Sequence, residues 1–182
     1  MYELPTSVIV SGTEYEIRSD YRAALDICAA LADPELGEQD KAQVVLDIFY
    51  PRFDEMPPEH YEQAIERCFW FIGGGADQKS AKKQPQLVDW GQDFQYIVAP
   101  VNRVLGEEIR AAKYLHWWTF LSAYMEIGDC LFAQIVRIRE KKATGKPLDK
   151  SDREWYRKNR ELVDMKTAYT EQDDDIVKRW GG

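Results

Sequence analysis

The chain has 182 residues, 45% of them hydrophobic and 31% charged, with a formal net charge of −8. That length suits one sizeable domain, or a core with a small appendage. The acidic balance disfavours a nucleic-acid backbone, whose readers carry a basic patch, and equally an anionic membrane surface.

Residues 6 to 18 read as a hairpin. Ser7-Val8-Ile9-Val10 and Thr13-Glu14-Tyr15-Glu16-Ile17 are β-rich runs, and Ser11-Gly12 supplies the turn. Tyr15 and Ile17 share one face, with Glu14 and Glu16 on the other. A first helix is expected from about Asp20, capped by Ser19, with Ala24, Leu25, Cys28, Ala29 and Leu31-Ala32 as its stripe. Asp33-Pro34 ends it. A second runs from about Glu38 to Tyr50, with Val44, Val45, Ile48 and Phe49 inward. A third starts at Pro57-Pro58, carries Tyr61, Ala64, Ile65, Cys68, Phe69 and Ile72, and stops at Gly73-Gly74-Gly75.

Residues 73–86 hold no large apolar side chain. They have little to offset the entropy of ordering and read as a flexible linker or mobile loop. Asp89 then caps a helix, with Gln92 completing a capping box and Asp93 a solvated charge one turn on. Phe94, Ile97, Val98, Val101, Val104 and Leu105 form its stripe. Pro100 should kink or split it, and Gly106 should stop it. Glu107-Glu108 lead into a helix carrying Trp117 and Trp118. Asp129 caps the next, in which Leu131, Phe132, Ile135, Val136 and Ile138 are apolar and which ends in Arg137, Arg139, Lys141 and Lys142, cations suited to a helix C-terminus. Ser151-Asp152-Arg153-Glu154 reads as a capping box for a last amphipathic helix, and the tail beyond is acidic.

The densest aromatic stretch is Lys113-Tyr114-Leu115-His116-Trp117-Trp118-Thr119-Phe120-Leu121. Aromatics bury large areas, so this stretch should anchor the main core. Trp117 and Trp118 lie about 100° apart on a helix, which predicts that both cannot face one core. At least one of them should be buried.

No arrangement in the chain points to catalysis. Its two histidines, His60 and His116, lack metal-ligand spacing. His116 reads as a satisfied core histidine. Cys130, fourteen residues on, lacks an activating pattern that would pair it with His116 as a nucleophile. The three glycines follow a helix and do not open one after a strand, so they are no phosphate loop. Cys28, Cys68 and Cys130 are odd in number and far apart, which is no disulfide framework. A reducing, cytoplasmic setting is expected, because the N-terminus shows no signal pattern and no apolar run approaches the roughly 20 residues of a membrane helix.

One resemblance is carried by a series of short pieces in order. They are Leu87-Val88-Asp89-Trp90-Gly91-Gln92-Asp93, Val104-Leu105-Gly106 with Ile109-Arg110, Leu115-His116-Trp117-Trp118-Thr119-Phe120 and Ile127-Gly128-Asp129. Gln134-Ile135-Val136-Arg137-Ile138-Arg139, Gly145-Lys146 and Asp149-Lys150 follow. Together they resemble the small proteins encoded beside the tape-measure gene in siphophages of Gram-positive hosts, regarded as tail assembly chaperones. The match spans roughly residues 20–166. The resemblance implies an assembly factor without catalytic residues or cofactors, acting in the host cytoplasm. Its implied partners are the helical tape-measure protein and further copies of itself, and the acidic charge speaks against nucleic acid and membrane. A structural connector or minor virion protein is the competing reading.

The expectation is therefore a mainly α protein with an N-terminal β-hairpin. Residues 1–72 hold the hairpin and first helices, 73–86 a flexible linker or loop, 87–166 a C-terminal helical half, and 167–182 an acidic tail. Trp90, Asp93, His116, Trp117, Trp118, Phe120, Arg137 and Arg139 are the candidate interaction or core residues.

Overall fold

In the computed structural model, residues 3–76 and 85–165 are described. Most of the expected 73–86 loop and the whole 167–182 tail lie outside them. The described chain is mainly α, with an antiparallel hairpin at its start, as its periodicity predicts. Strands β1 (Ser7–Val10) and β2 (Thr13–Glu16) pair in the register Val8 with Tyr15 and Ile9 with Glu14. Ser11 and Gly12 both take positive φ, the geometry of the tightest hairpin turns. Val8 and Val10 are buried, while Ile9 lies exposed on the glutamate face.

Helix α1 (Tyr21–Ala32) is capped by Asp20, not by Ser19. The Asp20 carboxylate accepts from the Arg22 amide, while Ser19 is buried with its hydroxyl 2.8 Å from that of Tyr114. Tyr21, Ala24 and Ile27 form the fully buried line of α1, and Ala29 faces out. Helix α2 (Glu38–Phe49) buries Val45, Leu46 and Phe49. The prolines at 57 and 58 open a single tight turn, Pro58–His60, that feeds α3 (Tyr61–Ile72).

Helix α4 (Trp90–Leu105) runs on through Pro100, so of the expected kink or split the split does not occur, and it ends at Gly106 in the left-handed region. The Asn102 side chain accepts from the Ile109 amide and donates to Glu108. This ties Glu108 and Ile109 into a turn, and 107–116 stay non-helical where a helix was expected. Helix α5 begins only at Trp117 and ends at Met125. Helix α6 (Leu131–Ala143) is capped by Cys130, whose sulfur accepts from the Ala133 amide, in place of Asp129. Helix α7 (Lys150–Lys158) takes Asp149 as its cap, two residues ahead of the expected Ser151, and α8 (Arg160–Val163) follows.

The described chain falls into two compact units. One comprises 3–76 and Lys113–Leu121; the other comprises 85–112 and 122–165. The aromatic stretch thus belongs with the N-terminal elements, although sequence order puts it in the C-terminal half. Its anchor is Asp20, whose Oδ2 accepts from the Leu115 amide at 2.9 Å. Around it, Tyr21 donates its amide to Leu115 and Trp117 donates its amide to Ser19, a short antiparallel bridge.

Candidate functional site

In the first unit, the two indoles close the end of α3. Trp117 Nε1 donates to the Ile72 carbonyl at 2.9 Å, and Trp118 Nε1 to the Phe71 carbonyl at 2.8 Å. Gly73 and Gly75 donate their amides to Phe69 and Trp70. The last four carbonyls of α3, which no helix can satisfy internally, are all taken. Trp117 is 1% exposed, so the stretch does anchor a core. The two rings keep different neighbours, Phe120 for Trp117 and Trp70 and Phe71 for Trp118, and yet both indole N–H groups reach the same helix end. Gly75, at φ +83°, lies flat against Trp118, and a Cβ built there would stand 2.7 Å from the ring. Phe120 is buried, stacked between Tyr21 at 5.1 Å and Trp117 at 5.4 Å.

His116 is a satisfied core histidine. Its Nδ1 accepts from the Trp118 amide at 3.0 Å, and its Nε2 lies 3.0 Å from the Pro5 carbonyl. These partners select the tautomer with the proton on Nε2. Cys130 spends its sulfur on the α6 cap. Burial pushes the Cys28 thiol up to about 12 and Cys68 well above its usual value, so their reactive thiolates are suppressed. Among the described residues no three His, Cys, Asp or Glu side chains gather as a metal site.

In the second unit, α6 sends a cation to each neighbouring segment. Arg139 is 5% exposed and spreads its guanidinium over Asp93, donating to Oδ2 at 2.5 Å and Oδ1 at 3.0 Å. It also donates to the carbonyls of Val163, Leu87 and Leu162. Asp93 is fully buried, not solvated, and accepts the Asp89 amide, the role assigned to Gln92 in the expected capping box. Gln92 instead donates to the Asp164 carbonyl. Removing either charge of such a pair strands the other, at a cost of about 3–5 kcal/mol.

Asp152, also buried, accepts from Arg137 at 2.9 Å and Lys141 at 2.5 Å. Asp164 gathers Lys142, Arg160 and Tyr156. Slight burial raises the Asp164 carboxyl, but these three hydrogen bonds outweigh that and hold it down at about 2. Trp90 is half-buried against Tyr124, ring centroids 5.1 Å apart. Of the expected interaction residues, then, Asp93, His116, Trp117, Phe120 and Arg139 are core. Trp90 and Trp118 are partly covered, and Arg137 is exposed on a structural ion pair.

An apolar groove lies elsewhere in the first unit, between α2, the tight turn Phe53–Glu55 and α3. It encloses about 440 Å³ over a floor of Leu46 and Ile65, with Ala42, Phe53 and Tyr61 as walls. The Phe53 and Tyr61 rings stand 5.1 Å apart at one end. Gln39, Gln43 and Glu62 edge it. A second cleft, of about 420 Å³, shares Gln43 and Phe53 and adds Asp40, Val44 and Asp47.

A family model described as the bacteriophage Gp15 protein matches residues 1–165. The chain belongs to this family. No curated protein and no solved structure matches it.

In this Gp15 family member, the groove is the feature that residue-by-residue reading missed. Periodicity places Val44, Val45, Ile48 and Phe49, and not Leu46, on the inward face of α2, and Phe53 sits in a connection. A signal did exist: Tyr61 heads α3 on the same stripe as Ile65. Among the described residues no helix is long and apolar enough to cross a membrane.

Proposed function

We propose that this bacteriophage protein is a tail assembly chaperone. It binds the helical tape-measure protein in the host cytoplasm, keeps it soluble, and yields it as the tail tube polymerises. The observation that carries the reading is the family match over residues 1–165, which supports a phage protein. Physical chemistry supports the mode of action. A tape measure exposes long apolar helical stripes that aggregate unless covered. A groove with an apolar floor accepts such a stripe by helix-in-groove binding. The protein works by contact, with no catalytic step, metal or cofactor, and its charge of −8 turns nucleic acid and anionic membranes away. Copies associate through the hairpin, whose two strands, among the described residues, pair with each other alone and leave edges able to add a strand. Repeating that contact head-to-tail builds a coat along a long client.

Co-expression with the tape-measure protein of the same phage tests the reading, scored by client solubility and co-purification at low salt. The chaperone raises the soluble fraction and co-purifies. A client equally soluble alone, never co-purifying, sinks the reading. Finding the protein in purified virions would then favour a connector or minor virion component.

A further inference from the structure

We infer that the groove between α2, the Phe53–Glu55 turn and α3 is the docking site for one client helix, apolar on one face and bearing lysine or arginine along the flank. The inference rests on the chaperone reading and locates its contact.

The shape argument comes first. At about 440 Å³ the groove falls within the ~300–1,000 Å³ of pockets that take apolar groups. Leu46 and Ile65 are nearly inaccessible, so the floor is pre-formed. Ala42, Phe53 and Tyr61 are each half-buried, leaving apolar surface for a partner. Ala42 matters most. A small residue between Gln39 and Leu46 on the α2 face lets a helix approach closely. The client would present anchors spaced i, i+3 or i+4, and i+7.

Charge identifies the occupant. Glu62 stands at the groove's edge on α3, and the adjoining cleft exposes Asp40 and Asp47 along α2. Asp54 and Glu55 are exposed on the intervening turn, and Arg52 pairs with Glu55 at 3.6 Å. Glu62 thus borders the trough itself, and further exposed acids stand beside it on α2 and on the intervening turn. A second copy of this acidic chain would meet like charge there. A helix with basic flanks would meet opposite charge as its apolar face is buried.

The test uses the full chain co-expressed with the tape-measure protein, with a photo-crosslinking amino acid at Gln39. Two surface variants accompany it, Ala42→Arg to obstruct the trough and the double variant Asp40→Lys/Asp47→Lys to invert its border. Circular dichroism melting confirms that each folds. The expected result is a crosslink into an apolar helical client segment with Lys or Arg alongside, and co-purification reduced at least about tenfold in both variants. Should Ala42→Arg fail to fold, the charge-inverted variant and the crosslink decide. Undiminished co-purification in the folded variants, or crosslinks only to another copy of this chain, overturns the groove assignment and leaves the chaperone reading standing. A wild-type protein that never co-purifies overturns both.

Discussion

At the scale of single residues, close packing turned ordinary-looking positions into structural ones. The three glycines after α3 read as a stop signal, and they do stop it. The sequence could not show that Gly75 is also the surface on which Trp118 rests, because that contact spans more than 40 positions of chain. Arg139 illustrates the same limit. Four cations near a helix end suggest a general dipole effect, yet each is held by a specific carboxylate, Arg137 and Lys141 by the same Asp152, and only three-dimensional placement distinguishes buried Arg139 from exposed Arg137. Gly75→Ala tests this reading. An alanine there must adopt φ near +83° and push its methyl into the indole. The expected loss of stability is about 1–3 kcal/mol. Gly145→Ala is the control: it shares the positive φ, at +69°, but a Cβ there meets nothing within 4 Å. Denaturant melts should place Gly75→Ala clearly below Gly145→Ala. Equal losses would mean that the backbone alone matters and that Trp118 moves aside freely.

Among elements, hydrophobic period identified the hairpin and most of the helices, because apolar positions at spacings of two or 3.6 are local information. Helix starts were less legible. Asp20, Cys130 and Asp149 won the caps from Ser19, Asp129 and Ser151, each displaced by one or two residues. A cap is decided by which side chain meets the first free amides as the chain arrives, and Ser19 was already committed to Tyr114. The turn after α4 is not legible from local periodicity, because it is held by Asn102, on α4, whose side chain reaches forward to the Ile109 amide. The α6–α8 connection yields a pH prediction. Asp164 sits at about 2 in the folded protein against an ordinary 3.8, so its folded value is depressed. Its contribution is complete above pH about 4 and is lost as pH falls through about 2. Asp164→Asn should therefore lower the melting temperature at neutral pH, with the gap from wild type closing between pH about 4 and 2. A gap that stays constant over that window would show that the carboxylate's charge does not hold α8.

On the scale of the whole molecule, sequence order and spatial order diverge at one segment. Residues 113–121 follow the C-terminal helix α4 in the chain but group with the hairpin and α1 to α3, through a bridge at Asp20 that neither partner advertises. The eight aromatic and ionic candidates chosen from sequence were consequently drawn mostly from the two cores, and the groove with accessible apolar surface lay outside them. Net charge, by contrast, is read directly from the chain, and under the proposed chaperone role it makes a kinetic prediction about client capture. With −8 overall and acids bordering the groove, attraction acts over about 10 Å at 0.1 M salt but only about 3 Å at 1 M. The apolar floor is insensitive to salt over that range. Steering should therefore govern arrival and burial should govern residence. Stopped-flow binding of the tape-measure segment captured by the Gln39 crosslink should show an association rate falling about tenfold or more across that range, with the dissociation rate nearly unchanged. The charge-inverted variant should lose most of that slope. If salt instead accelerates dissociation and leaves association untouched, the acids are making direct contacts in the bound state and the division between steering and burial is wrong.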